Sequence, residues 1–237
     1  MRRGLAPSRA EGALLVSGGR VLVSGVVAEK PARQVGTAEP IVVAGPPPRF
    51  VSRGGEKLNA ALDRFSLDVT GRGVLDAGAS TGGFTDCLLQ RGAALVLAVD
   101  VGHGQLHPRL RADPRVEVME RTNLRFLGPA ALGGRRFDVV TADLSFISLR
   151  TVAPALTSLA KPGADLVLLV KPQFEAGRAV VSKGRGVVRD PEVWSRVIEA
   201  TADAFSALGA KALAEMASPL TGADGNKEFF IHLRAGG

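Results

Sequence analysis

Four charged residues stand where they could act on a substrate. They are Lys57 in Ser52-Arg53-Gly54-Gly55-Glu56-Lys57-Leu58, Asp143 in Ala142-Asp143-Leu144-Ser145-Phe146, Lys171 in Val170-Lys171-Pro172-Gln173-Phe174, and Glu228 in Asn226-Lys227-Glu228-Phe229. Asp143 and Lys171 each end an apolar run, and Glu228 opens one. A polar group at the end of a buried strand is held at the rim of the sheet, where open α/β sheets keep their sites. Lysine among carboxylates suits two tasks, taking a proton from an oxygen or stabilising negative charge that develops on it. With an ordinary pKa of ~10.4, lysine is neutral in only about one part in 2,500 at pH 7. Its neighbours therefore matter: a second ammonium lowers that pKa and carboxylates raise it. Other chemistries have weaker footing. The single cysteine, Cys87, reads as part of a packed helix in Phe84-Thr85-Asp86-Cys87-Leu88-Leu89. His103 and His107 stand among Gly102 and Gly104 with no third ligand in view, so no metal site is expected.

A second cluster is Asp76-Ala77-Gly78-Ala79-Ser80-Thr81-Gly82-Gly83-Phe84, a glycine-rich turn between a strand and a helix. Such turns bring backbone close to a ligand at the carboxyl edge of a sheet. Dinucleotide-binding folds use a similar turn, but three details point to S-adenosylmethionine. Asp76 lies inside the strand end, suited to an ammonium group. Ser80 replaces the middle glycine of G-x-G-x-x-G. Asp100 ends the next strand, where a carboxylate can take both ribose hydroxyls. Gly78, Ser80, Thr81, Gly82, Gly83 and Phe84 are thus the candidate cradle, with Asp76 and Asp100 beside it and Asp143 near the methyl donor. Asn123, after the third strand, is the candidate contact for the adenine edge, and the His103 to His107 segment is expected to close over the cofactor.

The elements that must position these groups are near-continuous apolar runs at 73–75, 94–99, 116–118, 137–142 and 166–170, with helical stretches between them. Runs buried on both faces and separated by helices predict a doubly wound parallel sheet. Two further strands, 211–216 and 228–233, are too close for a crossover helix and should pair as an antiparallel hairpin. The start of the last strand then lies at the same edge as the ends of the parallel ones, so Asp143, Lys171 and Glu228 converge. The expected fold is a Rossmann-like α/β sheet of seven strands, mostly parallel, as in the class I S-adenosylmethionine methyltransferases.

The quartet resembles the Lys-Asp-Lys-Glu tetrad of FtsJ-type ribose 2′-O-methyltransferases. The likeness extends through Asp76 to Thr85, through Asp143-Leu144-Ser145-Phe146-Ile147-Ser148, through Lys171-Pro172-Gln173-Phe174-Glu175, and through Gly225-Asn226-Lys227-Glu228. Over essentially its whole length the chain is identified as a member of the TlyA family, whose members are also called hemolysins. The resemblance implies methylation of ribose in 16S and 23S ribosomal RNA. It also implies that Lys171 meets the 2′-oxygen, as base or as electrostatic stabiliser, with Asp143 and Glu228 orienting it and Lys57 tuning the field. Base methylation is disfavoured: Cys87 is misplaced for attack on cytosine C6, and Asp143-Leu144-Ser145-Phe146 lacks the two prolines common in amine methyltransferases.

Gly45-Pro46-Pro47-Pro48 marks a linker, so residues 1–50 are expected to form a module ahead of a methyltransferase domain at 51–237. In the module, Ser8-Arg9-Ala10-Glu11 matches a capping box opening a helix over 8–17, and short strands follow at 21–23, 26–27 and 41–43. It carries seven basic residues against three acidic ones, a larger imbalance than the rest of the chain has. Arg3-Gly4-Leu5-Ala6-Pro7-Ser8-Arg9-Ala10 and Gly19-Arg20-Val21-Leu22-Val23-Ser24-Gly25 resemble the alpha-L RNA-binding motif of ribosomal proteins and pseudouridine synthases. That resemblance makes Arg3, Ser8, Arg9 and Arg20 candidate RNA contacts. Arg53, at the entrance to the second domain, joins them, and Arg178, Lys183 and Arg185 could add to them from a loop. The family usually has Asn where Ser24 stands and a full helix before Gly4, for which Met1 to Gly4 leaves no room, so either the start codon is misassigned or the module is truncated at its start and less stable.

The net charge of +7 favours a polyanionic partner, nucleic acid or an acidic membrane surface, and does not choose between them; it is the family resemblance that implies RNA, specifically ribosomal RNA or ribosomal subunits. No apolar run approaches the ~18 to 20 residues that span a bilayer, and no apolar region follows the basic start, so a cytoplasmic protein without membrane insertion is expected. One cysteine fits a reducing compartment. Two other function classes compete with the methyltransferase: a membrane-active hemolysin-like protein, and a non-catalytic assembly factor that binds ribosomal RNA.

Overall fold

The computed structural model describes residues 3–6, 9–45, 48–222 and 225–236. The chain divides into two compact units, Met1–Pro48 and Arg49–Gly237. In the first, α1 (Arg9–Ser17) is followed by β1 (Val21–Val23), β2 (Val26–Val27) and β3 (Ile41–Val43). β1 is the central strand, antiparallel to both neighbours. Its inward residues Val21 and Val23 pack with Ala28, Leu15, Val16, Val35 and Ile41 into a small core. The capping box expected at Ser8, and Ser8 itself as an RNA contact, lie outside the described residues.

The second unit opens with α2 (Gly54–Arg64), then alternates β4 (Gly73–Ala77), α3 (Gly83–Gln90), β5 (Leu95–Val99), α4 (Pro108–Arg111), β6 (Val116–Met119) and β7 (Phe137–Ala142). It continues with α5 (Leu149–Leu159), β8 (Ala160–Val170), α6 (Pro172–Glu175), α7 (Arg178–Lys183) and α8 (Pro191–Ser206), and ends in β9 (Lys211–Ala217) and β10 (Phe229–Arg234). The strands form one sheet in the order β6-β5-β4-β7-β8-β10-β9. β10 is antiparallel to both β8 and β9, and the other pairs are parallel.

Both faces of this sheet are covered. One core gathers Leu75, Leu97, Val140, Leu166 and Leu168 under α5 and α8; the other gathers Val74, Val96, Val139, Val167 and Leu169 under α2 and α3. Alternate residues of the central strands β4, β5, β7 and β8 thus feed opposite cores, which is why those strands read as apolar runs. β8 begins earlier than the run at 166–170 suggests, because Lys161, Pro162 and Gly163 are exposed and carry no apolar signal. β10 begins at Phe229, leaving Glu228 just ahead of the strand but still tied to the sheet through its carbonyl, which accepts from the Ser218 amide at 2.8 Å.

Candidate active site

β7, β8 and β10 are consecutive neighbours, so Asp143, Lys171 and Glu228 come from three adjacent strands at one edge of the sheet. The pairing of Phe229 with Val170 sets Glu228 and Lys171 level across the ladder. Lys171 Nζ lies 2.6 Å from Asp143 Oδ1 and donates to Ser145 Oγ at 3.0 Å. Lys57 Nζ donates to Glu228 Oε2 at 2.5 Å. Among the described contacts the quartet therefore resolves into two ion pairs, and Glu228 is engaged by Lys57 and not by Lys171. Lys57, Lys171 and Glu228 are buried, so each charge depends on its partner, because stripping water from an ion costs several kcal/mol. Asp143 is the more open partner, with 23% of its side chain exposed.

Lys57 reaches the rim because α2 crosses the start of α3 at very short range. A Cβ on Gly83 would lie 2.2 Å from Ser52 Oγ and 2.9 Å from the Gly55 amide nitrogen. The glycine loop abuts the acceptor side just as closely. Gly78 has φ of 85°, and a Cβ there would come within 2.5 Å of the Asp143 carbonyl oxygen. The Asp143 amide in turn donates to the Ala77 carbonyl at 3.0 Å.

Farther along the loop, the Ser80 amide donates to Asp100 Oδ2 at 2.8 Å, and the Gly102 amide donates to Asp100 Oδ1 at 2.7 Å. A carboxylate has about four lone-pair positions, so Asp100 fixes two loops and keeps acceptor capacity for a diol. Ser80 and Thr81 are exposed at the loop tip, and the Thr81 carbonyl accepts from the His107 amide at 3.2 Å. The His103 to His107 segment is thereby fastened beside the loop. His103 Nδ1 lies 2.8 Å from Glu120 Oε2, and His107 Nδ1 accepts from the Arg109 amide at 3.2 Å. Among the described residues no cluster of three or more metal-ligating side chains occurs.

Several expected cofactor residues also make contacts within the protein. Asp76 is fully buried, accepting from Thr85 Oγ1 at 2.6 Å and from Thr141 Oγ1 at 3.3 Å. Burial pushes its carboxyl up to about 7 against the Thr85 hydrogen bond, and the charge of Asp143 adds to the rise. Phe84 stacks on Phe230 at 6.1 Å and anchors α3 to β10. Gly82 packs against Leu106 and Leu110. Asn123 is exposed, and its Oδ1 accepts from the Arg125 amide at 3.0 Å at the start of the 3-10 turn Leu124–Phe126.

The candidate RNA contacts also divide. Arg3 donates to the carbonyls of Gly36, Thr37 and Glu39 at 2.7, 2.8 and 2.5 Å, and Arg20 donates to those of Ala44 and Gly45 at 3.0 and 3.3 Å. Both guanidinium groups staple their own unit. Arg9 and Arg53 are exposed.

Sequence reasoning did not single out Ser145, Phe146, Phe174, Glu175 or Asn226. Phe146 is 92% exposed with φ of 66°, its ring 5.2 Å from that of Phe174. An exposed aromatic and a core one look alike in a sequence. Asn226 is buried, accepting from the Val188 amide at 2.9 Å and donating to the Gly186 carbonyl at 3.0 Å, so it binds the 184–188 loop to the segment that delivers Glu228. The one local hint for Glu175 was a carboxylate set between Phe174 and Ala176, which does not say what it contacts.

Comparison with known proteins is consistent across sequence and structure. Residues 50–235 match the family model of FtsJ-like methyltransferases, and residues 2–41 match the S4 domain. The chain is 53% identical over 235 residues, covering 99% of itself and 87% of its partner, to the 16S/23S rRNA (cytidine-2′-O)-methyltransferase TlyA of Mycobacterium tuberculosis. It is 38% identical to Hemolysin A of Brachyspira hyodysenteriae, over 97% of this chain and 95% of that one. A solved Streptococcus thermophilus structure named as a hemolysin superposes with a TM-score of 0.82 at 39% identity, covering 99% of this chain and 86% of that one.

Proposed function

The chain belongs to the FtsJ-like methyltransferases, and from that premise we propose that it is an S-adenosylmethionine-dependent enzyme that methylates a ribose 2′-hydroxyl in ribosomal RNA. The observation that carries this reading is the Lys171–Asp143 ion pair at the strand ends, with the Gly78 turn pressed against the Asp143 backbone. Cofactor loop and polar pair are thereby held side by side.

The residues fit the cofactor. Asp100, with spare acceptor capacity, would take the two ribose hydroxyls; the exposed Ser80 and Thr81 tip and Gly78 would follow the methionine portion; and Asp143 lies where the donor and acceptor sides meet. Bound S-adenosylmethionine supplies an electrophilic methyl group at a sulfonium centre. Everything else falls to the chain: Lys171 meets the 2′-oxygen, taking its proton or stabilising its developing charge, and Asp143 and Ser145 aim the lysine. Lys57 and Glu228 form a separate buried pair that shapes the field beneath. Phe146, solvent-exposed and backed by Phe174, offers a face for the acceptor's nucleobase. Asp76 acts from inside, bracing α3 against β7 through Thr85 and Thr141.

The N-terminal unit is the proposed RNA-docking module, with Arg9 free for phosphate while Arg3 and Arg20 hold its fold, and Arg53 contributing from the start of α2. Its match to the S4 domain supports that assignment, and action on ribosomal RNA would call for a cytoplasmic enzyme. The hemolysin name of relatives motivates a competing reading as a membrane-active protein. Among the described residues no helix is long and apolar enough to cross a membrane, and release of dye from liposomes by the purified protein would separate the two readings.

The direct mutational test is Lys171→Ala. Turnover on ribosomal RNA should fall by roughly a thousandfold, while S-adenosylmethionine affinity measured by calorimetry stays near wild type. Lys171→Arg should be nearly as slow, since guanidinium does not give up its proton and fits the pocket differently. Substantial turnover in either variant would remove Lys171 from the chemistry.

A further inference from the structure

Glu175 is buried, yet neither the cofactor loop nor the two ion pairs use it. Its carboxylate spans the start of α5: Oε1 accepts from the Leu149 amide at 2.6 Å, and Oε2 accepts from Ser148 Oγ at 2.5 Å and from Arg150 Nε at 3.2 Å. Arg150 also donates to the Glu175 carbonyl at 2.8 Å. Ser148 is itself the cap of α5, accepting from the Arg150 amide at 3.1 Å. One side chain therefore satisfies an orphan helix amide, a cap hydroxyl and a guanidinium together, which offsets the cost of burying its charge.

The placement of these contacts gives them meaning. Two short segments leave the sheet side by side, 143–148 after β7 and 171–175 after β8. They are joined in sequence by Lys171 to Asp143 and Ser145, by Phe174 to Phe146, and by Glu175 to Ser148, Leu149 and Arg150. At the near end both segments are fixed by their strands. At the far end, Glu175 is the tie. Phe146 sits between, at a positive φ that a non-glycine residue holds only when its surroundings enforce it.

We infer that Glu175 is a positioning residue for methyl transfer, holding the 143–148 and 171–175 segments in register so that Lys171 and the Phe146 face present one fixed geometry to the acceptor ribose. This rests on the proposed ribose methylation. Without the tie, both segments remain attached to their strands, but the distance between Lys171 and the acceptor oxygen is no longer set, and an error on the order of 1 Å in such a distance costs roughly a hundredfold in rate. The cofactor loop, on β4 and β5, does not touch Glu175, so donor binding is left alone.

The test is Glu175→Gln in the full-length protein. The amide keeps the shape, but its NH2 group faces donors where a carboxylate oxygen had accepted. Expected is a drop in kcat of roughly tenfold to a hundredfold, with a displaced limb in the pH–rate profile and unchanged S-adenosylmethionine affinity, while the melting temperature falls only by the few degrees that a lost buried acceptor costs. A kcat within twofold of wild type with an unmoved pH profile overturns the inference, and so does a loss of donor affinity and melting temperature in step with kcat, which would make Glu175 merely structural. Should the glutamine variant fail to fold, Arg150→Ala removes one donor from the half-exposed end of the tie and should give the same split in milder form; wild-type kinetics there count against the inference. Methyl carried by wild-type product is located in parallel by alkaline resistance at one ribose. A base-methylated product would sink the proposed function itself, whereas a ribose product with an indifferent Glu175→Gln variant sinks only this inference.

Discussion

The two halves of the candidate site are made of different material. On the cofactor side, between β4 and β5, the geometry is set by backbone: the turn at Gly78, the short approach at Gly83, and amides of Ser80 and Gly102 converging on Asp100. On the acceptor side, across β7, β8 and β10, it is set by buried charges, Lys171 with Asp143, Lys57 with Glu228, and Glu175 with Arg150. A backbone cradle tolerates no added volume, and a charged frame tolerates no lost partner. The contrast fits the division of labour, since a common donor can be held by shape while an oxygen gaining charge needs a field already in place.

The sharpest way to break that contrast is at its seam. Gly78→Ala adds a methyl group within 2.5 Å of the Asp143 carbonyl and forces an L-residue to φ of 85°. It should lose both S-adenosylmethionine binding and turnover, in contrast to Lys171→Ala, which loses turnover alone. Calorimetry and initial rates on the two variants decide it, and retained donor affinity in Gly78→Ala would mean that the halves are not in register through this contact.

A smaller effect is expected from Glu228→Gln. Lys57 then keeps its buried charge without a partner, a loss of about 3 kcal/mol in unfolding free energy. Chemical denaturation should show it. Adding Lys57→Met, which removes the stranded charge, should recover much of that stability without restoring activity.

The mildest test concerns Asp76, the one carboxylate of the cofactor side that is wholly inside. Its folded carboxyl is raised from 3.8 to about 7, so folding favours the protonated form. The stability it lends is complete below about pH 4, declines as pH rises through that window, and is gone above about pH 7. Wild type should therefore lose stability relative to Asp76→Asn as pH climbs from 5 to 7, by on the order of a few kcal/mol at most. Parallel denaturation curves for the two proteins would show Asp76 ionised in the folded state at low pH and its environment misread.

What the sequence disclosed follows the same contrast. The sheet and its antiparallel end were legible because strands buried on both faces are apolar throughout, and because too few residues separate β9 from β10 for a crossover. Asp143, Lys171 and Glu228 could be brought to one edge from topology alone. Their pairing could not, since Lys57 belongs to a helix that the strand pattern does not place, and it is Lys57 that takes Glu228. Gly82, Gly83 and Phe84 were visible as a cradle, but not their packing against Leu110, α2 and Phe230, because one glycine signal covers both approach to a ligand and approach to another part of the chain. Arg3 and Arg20 show the same ambiguity for charge: a basic residue in a sequence does not reveal that its guanidinium is spent on carbonyls of its own unit. Glu175 and Asn226 act only through contacts distant in the chain, for which periodicity carries no information.

The measurement that bears most directly on the central claim places the methyl group. A ribosomal RNA substrate carrying a single 2′-deoxy substitution at the modified nucleotide should bind with near-normal affinity and accept no methyl from S-adenosylmethionine, while the unsubstituted RNA acquires one ribose that resists alkaline cleavage. Methyl transfer to the deoxy substrate would put the chemistry on a base and contradict the role assigned to Lys171 and its ion pair with Asp143.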